Sequence, residues 1–175
     1  MNKNKELLLE MIYRVSSIEN LDLTAGDSKY LLSNMIAKYT NSDKIYLSKK
    51  TKELLESKEM TIGGDVKYLS QFYGKTCSFY KKHKIQFVAD HVVPCNIMLS
   101  HILNSDKEKE TIRKILDNNR VVMLLKEEDE LLHKIGFGKK TCDEFHIENN
   151  IWGRYNKANI EVTDYYFVNT GSIFR

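Results

Sequence analysis

Ile85-Gln86-Phe87-Val88-Ala89-Asp90-His91-Val92-Val93-Pro94 is the stretch on which the reading of this chain turns. A run rich in β-branched and aromatic residues leads into an adjacent Asp-His pair, and Pro94, the single proline of the chain, follows. Such a run favours a strand. A proline cannot donate to a sheet ladder, so the pairing is expected to stop near residue 94. Successive side chains on a strand point to opposite faces, so Asp90 and His91 reach one site only where the strand ends or bends. A carboxylate is a hard oxygen ligand and an imidazole titrates near neutrality, which suits a cation held beside a general base. The plainer alternative is a surface turn in which Asp90 bonds nearby backbone.

Working outward, Arg120 to Leu125 is a second β-like run, headed by Asn118-Asn119. Between the two runs, Asn96 to Leu103 and Lys107 to Leu116 read as a helical insert. Lys126 to Ile135 follows as an acid-rich helix start ended by Gly136 or Gly138. Acids in a first turn complement the helix dipole, so Glu127 to Glu130 also have an ordinary explanation. Upstream, Leu7, Leu8, Met11, Ile12 and Val15 recur at helical spacing. Leu31, Leu32, Met35, Ile36 and Tyr39 mark a second helix, with Asp27 or Ser28 as its N-cap. Thr51 to Leu55 reads as a short helix, Gly63-Gly64-Asp65 as a break, and Val66 to Tyr73 as a further helical segment. Ile160 to Val162 and Tyr165 to Val168 predict one or two more strands.

The 175 residues are 42% hydrophobic and 29% charged, enough for one core with a well-solvated surface. No run approaches the roughly 20 apolar residues of a membrane span, and Met1 to Glu6 lacks a signal-peptide pattern. Cys77, Cys95 and Cys142 form no Cys-x-x-Cys pair. A reduced, cytoplasmic, zinc-free protein without a membrane partner is expected. The net charge of +3 permits a polyanionic partner without announcing one.

The order strand, Asp-His, insert, Asn, strand, acidic helix resembles the HNH, or ββα-metal, nuclease superfamily. The resemblance implies an α+β fold: a ββα-metal core with a helical insert over residues 76–175, and a helical N-terminal extension over 1–75 for dimerisation or DNA embrace. It implies His91 as general base and Asp90 as ligand of a single Mg²⁺ or Mn²⁺. Asn119, or Asn118, would be the middle residue. Asp129 would fill the third position, with Glu128 and His133 behind it. The Cys-x-x-Cys knuckles of many HNH proteins are absent, and no structural zinc is expected.

A second likeness lies downstream. Glu127-Glu128-Asp129-x-x-Leu132, Gly136-Phe137 and Trp152-Gly153-Arg154-Tyr155-x-x-Ala158-x-Ile160 are similar to a segment of small HNH-type type II restriction endonucleases. That likeness implies metal-dependent, sequence-specific cleavage of double-stranded DNA. A palindromic target would call for a homodimer, and a cognate methyltransferase would be encoded separately. Lys81, Lys82, Lys84, Arg120 and Arg154 are the expected DNA contacts.

Other readings stand beside these. A phage or homing-type HNH nuclease would nick one strand, a task open to a monomer, and a catalytically silent DNA-binding or regulatory protein could occupy the same core. The missing family-typical third His keeps the silent reading open. Asn118-Asn119 also reads as a turn, His133 as a helix-face residue and Trp152 as core. The lysines at 49, 50, 52, 139 and 140 are further candidate phosphate contacts that also read as solvated charge, and Cys95 and Cys142 read as small buried apolar residues.

Overall fold

A computed structural model describes residues 3–18, 22–23, 26–40, 44–60, 78–141 and 150–167. The architecture is α+β. Two amphipathic helices come first, α1 (Lys3–Ser16) and α2 (Gly26–Thr40). Gly26 opens α2 at φ +63°, so Asp27 and Ser28 lie inside its first turn and not at the cap. Strand β1 (Lys44–Ser48) leads directly into α3 (Lys49–Glu56), whose first turn is capped by the Ser48 hydroxyl accepting from the Thr51 N–H at 3.1 Å. Then follow α4 (Ser78–His83), β2 (Phe87–His91), α5 (Cys95–Leu103), α6 (Lys109–Asp117), β3 (Val121–Leu125), α7 (Lys126–Lys134), α8 (Gly153–Lys157) and β4 (Val162–Phe167).

The four strands form one sheet in the order β2-β3-β1-β4. β3 pairs antiparallel with β2 and parallel with β1, while β4 pairs antiparallel with β1. An unbroken apolar sequence, Val-Val-Met-Leu-Leu, suits β3 to a central position covered on both faces. β2 lies at the edge, where its proline-terminated sequence costs no ladder bond.

One face of the sheet packs Ile45, Leu47, Phe87, Val121 and Met123 against Leu55 of α3 and Phe79 of α4. The other packs Val122 and Leu124 against Leu132 of α7 and Tyr155 of α8. A separate helical core joins α1, α2, α5 and α6 through Leu9, Ile12, Leu32, Ile36, Met98, Ile102 and Ile112.

Two expectations change here. Residues 1–75 are not a purely helical extension, because β1 sits between β3 and β4 inside the sheet. Strand β1 itself had no predicted counterpart. The segment Val66 to Tyr73 and the break at residues 63–65 lie outside the described residues. No described helix is long and apolar enough to cross a membrane.

Candidate functional site

The β2–β3 pairing runs in unbroken register from Phe87↔Leu125 to His91↔Val121. The strand therefore continues through both residues of the Asp-His pair, and the pleat sends their side chains to opposite faces. Asp90 turns toward α8. His91 turns toward α2, where its Nε2 lies 3.4 Å from the Ala37 carbonyl oxygen. The structure brings the two residues together in sequence but not on one face.

Asp90 is held from a distant part of the chain. Arg154 Nη2 and the Tyr155 hydroxyl both donate to its Oδ2. Arg154 is 1% exposed and spends its remaining donors on main-chain carbonyls: Nε on Val92 at 3.0 Å, Nη1 on Phe137 at 2.8 Å, Nη2 on His91 at 2.6 Å. The guanidinium thus ties together the end of β2, the turn after α7 and the start of α8. This corrects its expected role: a side chain inside the core, with its donors engaged, does not present itself to a DNA phosphate. Burial pulls the Arg154 pKa down, but the Asp90 carboxylate outweighs it and holds the guanidinium charged. Burial, and then the neighbouring Asp90 charge, push the Tyr155 phenol well above its ordinary value, so it stays a donor.

Asn119 serves the same strand end from the other side. The Val92 N–H donates to the Arg120 carbonyl at 2.9 Å, which is the last main-chain bond of the ladder. The next is made by a side chain. Asn119 Oδ1 accepts from the Val93 N–H at 2.9 Å, and Nδ2 donates to the Val93 carbonyl at 3.0 Å. Its carboxamide imitates one more strand residue, and Oδ1 also accepts the Arg120 N–H at 2.8 Å. Asn119 is 6% exposed and its amide is engaged, so it orients the strand end and offers no spare metal ligand. Asn118 caps the C-terminal end of α6, its N–H donating to the Lys114 carbonyl at 3.2 Å.

The α7 acids have work of their own. Glu128 Oε2 accepts the Leu125 N–H at 3.0 Å and the Ser48 hydroxyl at 2.5 Å, bridging the starts of α7 and α3 while only 5% exposed. Asp129 pairs with Lys126 at 2.8 Å and lies 3.7 Å from His133 Nε2. His133 is half-exposed, and its ring lies so close to Gly138 that a Cβ there would collide with Nδ1. Glu128, Asp129 and His133 therefore do not assemble with Asp90. Among the described residues no three His, Cys, Asp or Glu side chains converge as a metal site.

What fits a hard cation is narrower. Asp90 Oδ1 has no protein donor among the described residues, and the side chain is 15% exposed. One carboxylate oxygen is a sufficient protein share for Mg²⁺, which keeps several of its waters.

The predicted DNA-contacting lysines separate. Lys81 and Lys82 end α4 and Lys84 follows it, so all three precede β2. They lie at its Phe87 end, about 13 Å along the strand from His91. Arg120 lies at the His91 end, beside Val121. Ser48 is a functional-looking partner that sequence reading did not single out, and Tyr155 was quoted only within the downstream likeness; each contacts a residue 65 or more positions away. No protein-family model matches the chain, and neither a curated protein nor a solved structure shows significant similarity to it.

Burial pulls the His91 pKa below its ordinary 6.5, against smaller opposing effects of the Ala37 carbonyl and Asp90. The ring is neutral at cellular pH. Because Nε2 faces a carbonyl oxygen, it is the nitrogen that carries the hydrogen, and Nδ1 is left as proton acceptor.

Proposed function

We propose that this chain is a metal-dependent, sequence-specific double-stranded DNA endonuclease of the HNH, ββα-metal type, working as a homodimer on a palindromic site. The observation that carries the reading is the β2–β3 antiparallel pair, with neutral His91 at its end, Asn119 clamping the turn, and α7 packed back across it. That is the order strand, strand, helix with a base at the strand end. His91 Nδ1 accepts a proton from water, the water oxygen attacks phosphorus, and the 3′-oxygen departs, leaving 5′-phosphate and 3′-hydroxyl ends. Asp90 would hold the divalent cation, which when bound supplies charge stabilisation at the phosphate and leaving oxygen. Arg154 and Tyr155 fix the Asp90 carboxylate, and Asn119 fixes the backbone of residues 92–93. β2 is the edge strand, so a phosphate seated along its outer edge is reached from both faces.

A second reading, a DNA-binding protein without catalysis, is favoured by one observation: Arg154 already neutralises Asp90. Incubation with unmethylated phage DNA in Mg²⁺ or EDTA, alongside His91→Ala, separates the two. The nuclease reading expects discrete fragments that require both metal and His91, with an acidic rate limb below pH 6.5 because the His91 pKa is lowered. Metal-dependent nicked circles would favour a nicking enzyme. Absence of cleavage on several unmodified DNAs with Mg²⁺ and Mn²⁺ would leave the silent binder.

A further inference from the structure

Asp90, Val122, Tyr46 and Tyr165 are register partners across all four strands, one residue from each, and so lie in a row on one face of the sheet. At about 4.8 Å per strand the row is about 14 Å long. Its far half borders a cleft of about 440 Å³ lined by Lys5, Lys44, Tyr46, Asp117, Arg120 and Tyr165, among others. Among the described residues that line it, Asp117 is the carboxylate, and Lys5 holds it at 3.0 Å. Arg120 has no carboxylate partner among the described residues: its Nη1 donates to the Asp117 and Asn119 carbonyls at 2.5 and 2.8 Å. Tyr165 is 44% exposed, with Lys44 Nζ 4.8 Å from its ring centre and the Tyr46 ring edge-on at 5.8 Å. A cationic rim beside an exposed aromatic ring is the chemistry that holds a nucleic-acid backbone while a base stacks.

We propose that this cleft is a nucleotide subsite for a DNA strand, taking a backbone phosphate between Lys44 and Arg120 and, on Tyr165, an adjoining base drawn out of its pair. The identity of the ligand rests on the DNA-directed reading above, and the location does not. The Arg120 carbonyl accepts the N–H of Val92, the residue after His91, so the subsite directly adjoins the strand end that carries the proposed base. A strand bound there would leave the His91 end of β2 past Arg120 and follow the ends of β3 and β1 toward Tyr165, and β4 would serve substrate binding as well as the fold.

Trp152, the only tryptophan, packs edge-on against Tyr46 at 5.3 Å and reports directly on the cleft. The test is fluorescence titration of the full chain with a short single-stranded oligodeoxynucleotide in EDTA, repeated with inorganic phosphate alone. Lys44→Ala and Tyr165→Ala are expected to weaken oligonucleotide binding about tenfold each. Lys44→Ala should also flatten the salt dependence by about one unit of slope, while the circular-dichroism melt of both variants stays that of the parent. His91→Ala should bind as the parent does. Unchanged affinity in both cleft variants, or no oligonucleotide binding at all, overturns the subsite. Inorganic phosphate competing as well as the oligonucleotide would make it a free-anion site and overturn the DNA-strand assignment. Binding sensitive to Lys44 and Tyr165 without any DNA cleavage would sink the nuclease reading and leave the subsite standing. Cleavage with unaltered binding in the cleft variants would do the reverse.

Discussion

Two sets of carboxylates in this protein, Asp90 on β2 and Glu128–Asp129 on α7, carry the same chemistry and have opposite surroundings. Asp129 finds its cation three residues away in Lys126, on its own helix. Asp90 finds its cation 64 residues away, in a guanidinium that is itself 1% exposed. Glu128 lies between these cases, capping its own helix locally while accepting the Ser48 hydroxyl from across the fold. The difference teaches that an acid's neighbours in sequence do not reveal how firmly its charge is committed. Local pairing leaves a carboxylate replaceable, whereas a buried long-range pair makes the surrounding structure depend on it.

The sharpest way to break this contrast is Arg154→Met. The change strips Asp90 of its cation and leaves the carbonyls of His91, Val92 and Phe137 without their donor. Removing one member of a buried pair costs about 3–5 kcal/mol, against about 1 kcal/mol for an ordinary hydrogen bond. Urea unfolding should show a loss in that upper range. Adding Asp90→Asn to the same chain should recover about 1–3 kcal/mol through the coupling of the two residues. A strictly additive pair would show that Asp90 and Arg154 do not depend on one another.

Glu128→Gln probes the intermediate case. The amide still offers an oxygen to the Leu125 N–H but loses the negative charge facing the Ser48 hydroxyl and the start of α7. A bond to a charged group is worth about 1.5–3 kcal/mol against about 1 kcal/mol for a neutral one, so the unfolding midpoint should fall by a smaller, measurable step. A loss as large as that of Arg154→Met would erase the ranking by distance.

What was legible in the chain follows the same division between local and distant. The helices α1 and α2 announced themselves through apolar residues at helical spacing, α7 through its acid-rich start, α5 and α6 as a helical insert, and β2 and β3 through β-rich runs. The opposite orientation of Asp90 and His91 was readable from the pleat alone. β1 was not, because Lys44-Ile45-Tyr46-Leu47-Ser48 is a five-residue run without a turn signal to separate it from the helix that follows. Its place in the sheet comes from parallel pairing with β3 about 76 positions on, which no local pattern encodes. Asn119 was singled out for chemistry as an orienting or liganding residue, and its orienting bonds to Val93 became visible only once the strand ends met. Arg154 looked like a DNA contact because a lone arginine beside Trp152 and Tyr155 carries no sign of the carboxylate it will meet.

Asp129→Asn is the small end of the comparison, and its smallness is the point. The Lys126 partner is 42% exposed on its side chain, and the Asp129–Lys126 pair spans three residues on one helix. The Asp129 carboxylate is itself 13% exposed, but water reaches the pair through Lys126, and holding two side chains in one geometry costs entropy, so the pair contributes about 1 kcal/mol or less. Asparagine is also accepted in a helix first turn, though it loses the favourable charge near the N-terminus, worth a few tenths of a kcal/mol. The unfolding midpoint of Asp129→Asn should therefore move by less than half of the Glu128→Gln shift. A loss above about 2 kcal/mol would mean that Asp129 is committed to more than Lys126 and His133, and the α7 acids would then belong with Asp90 as one electrostatic unit rather than standing apart from it.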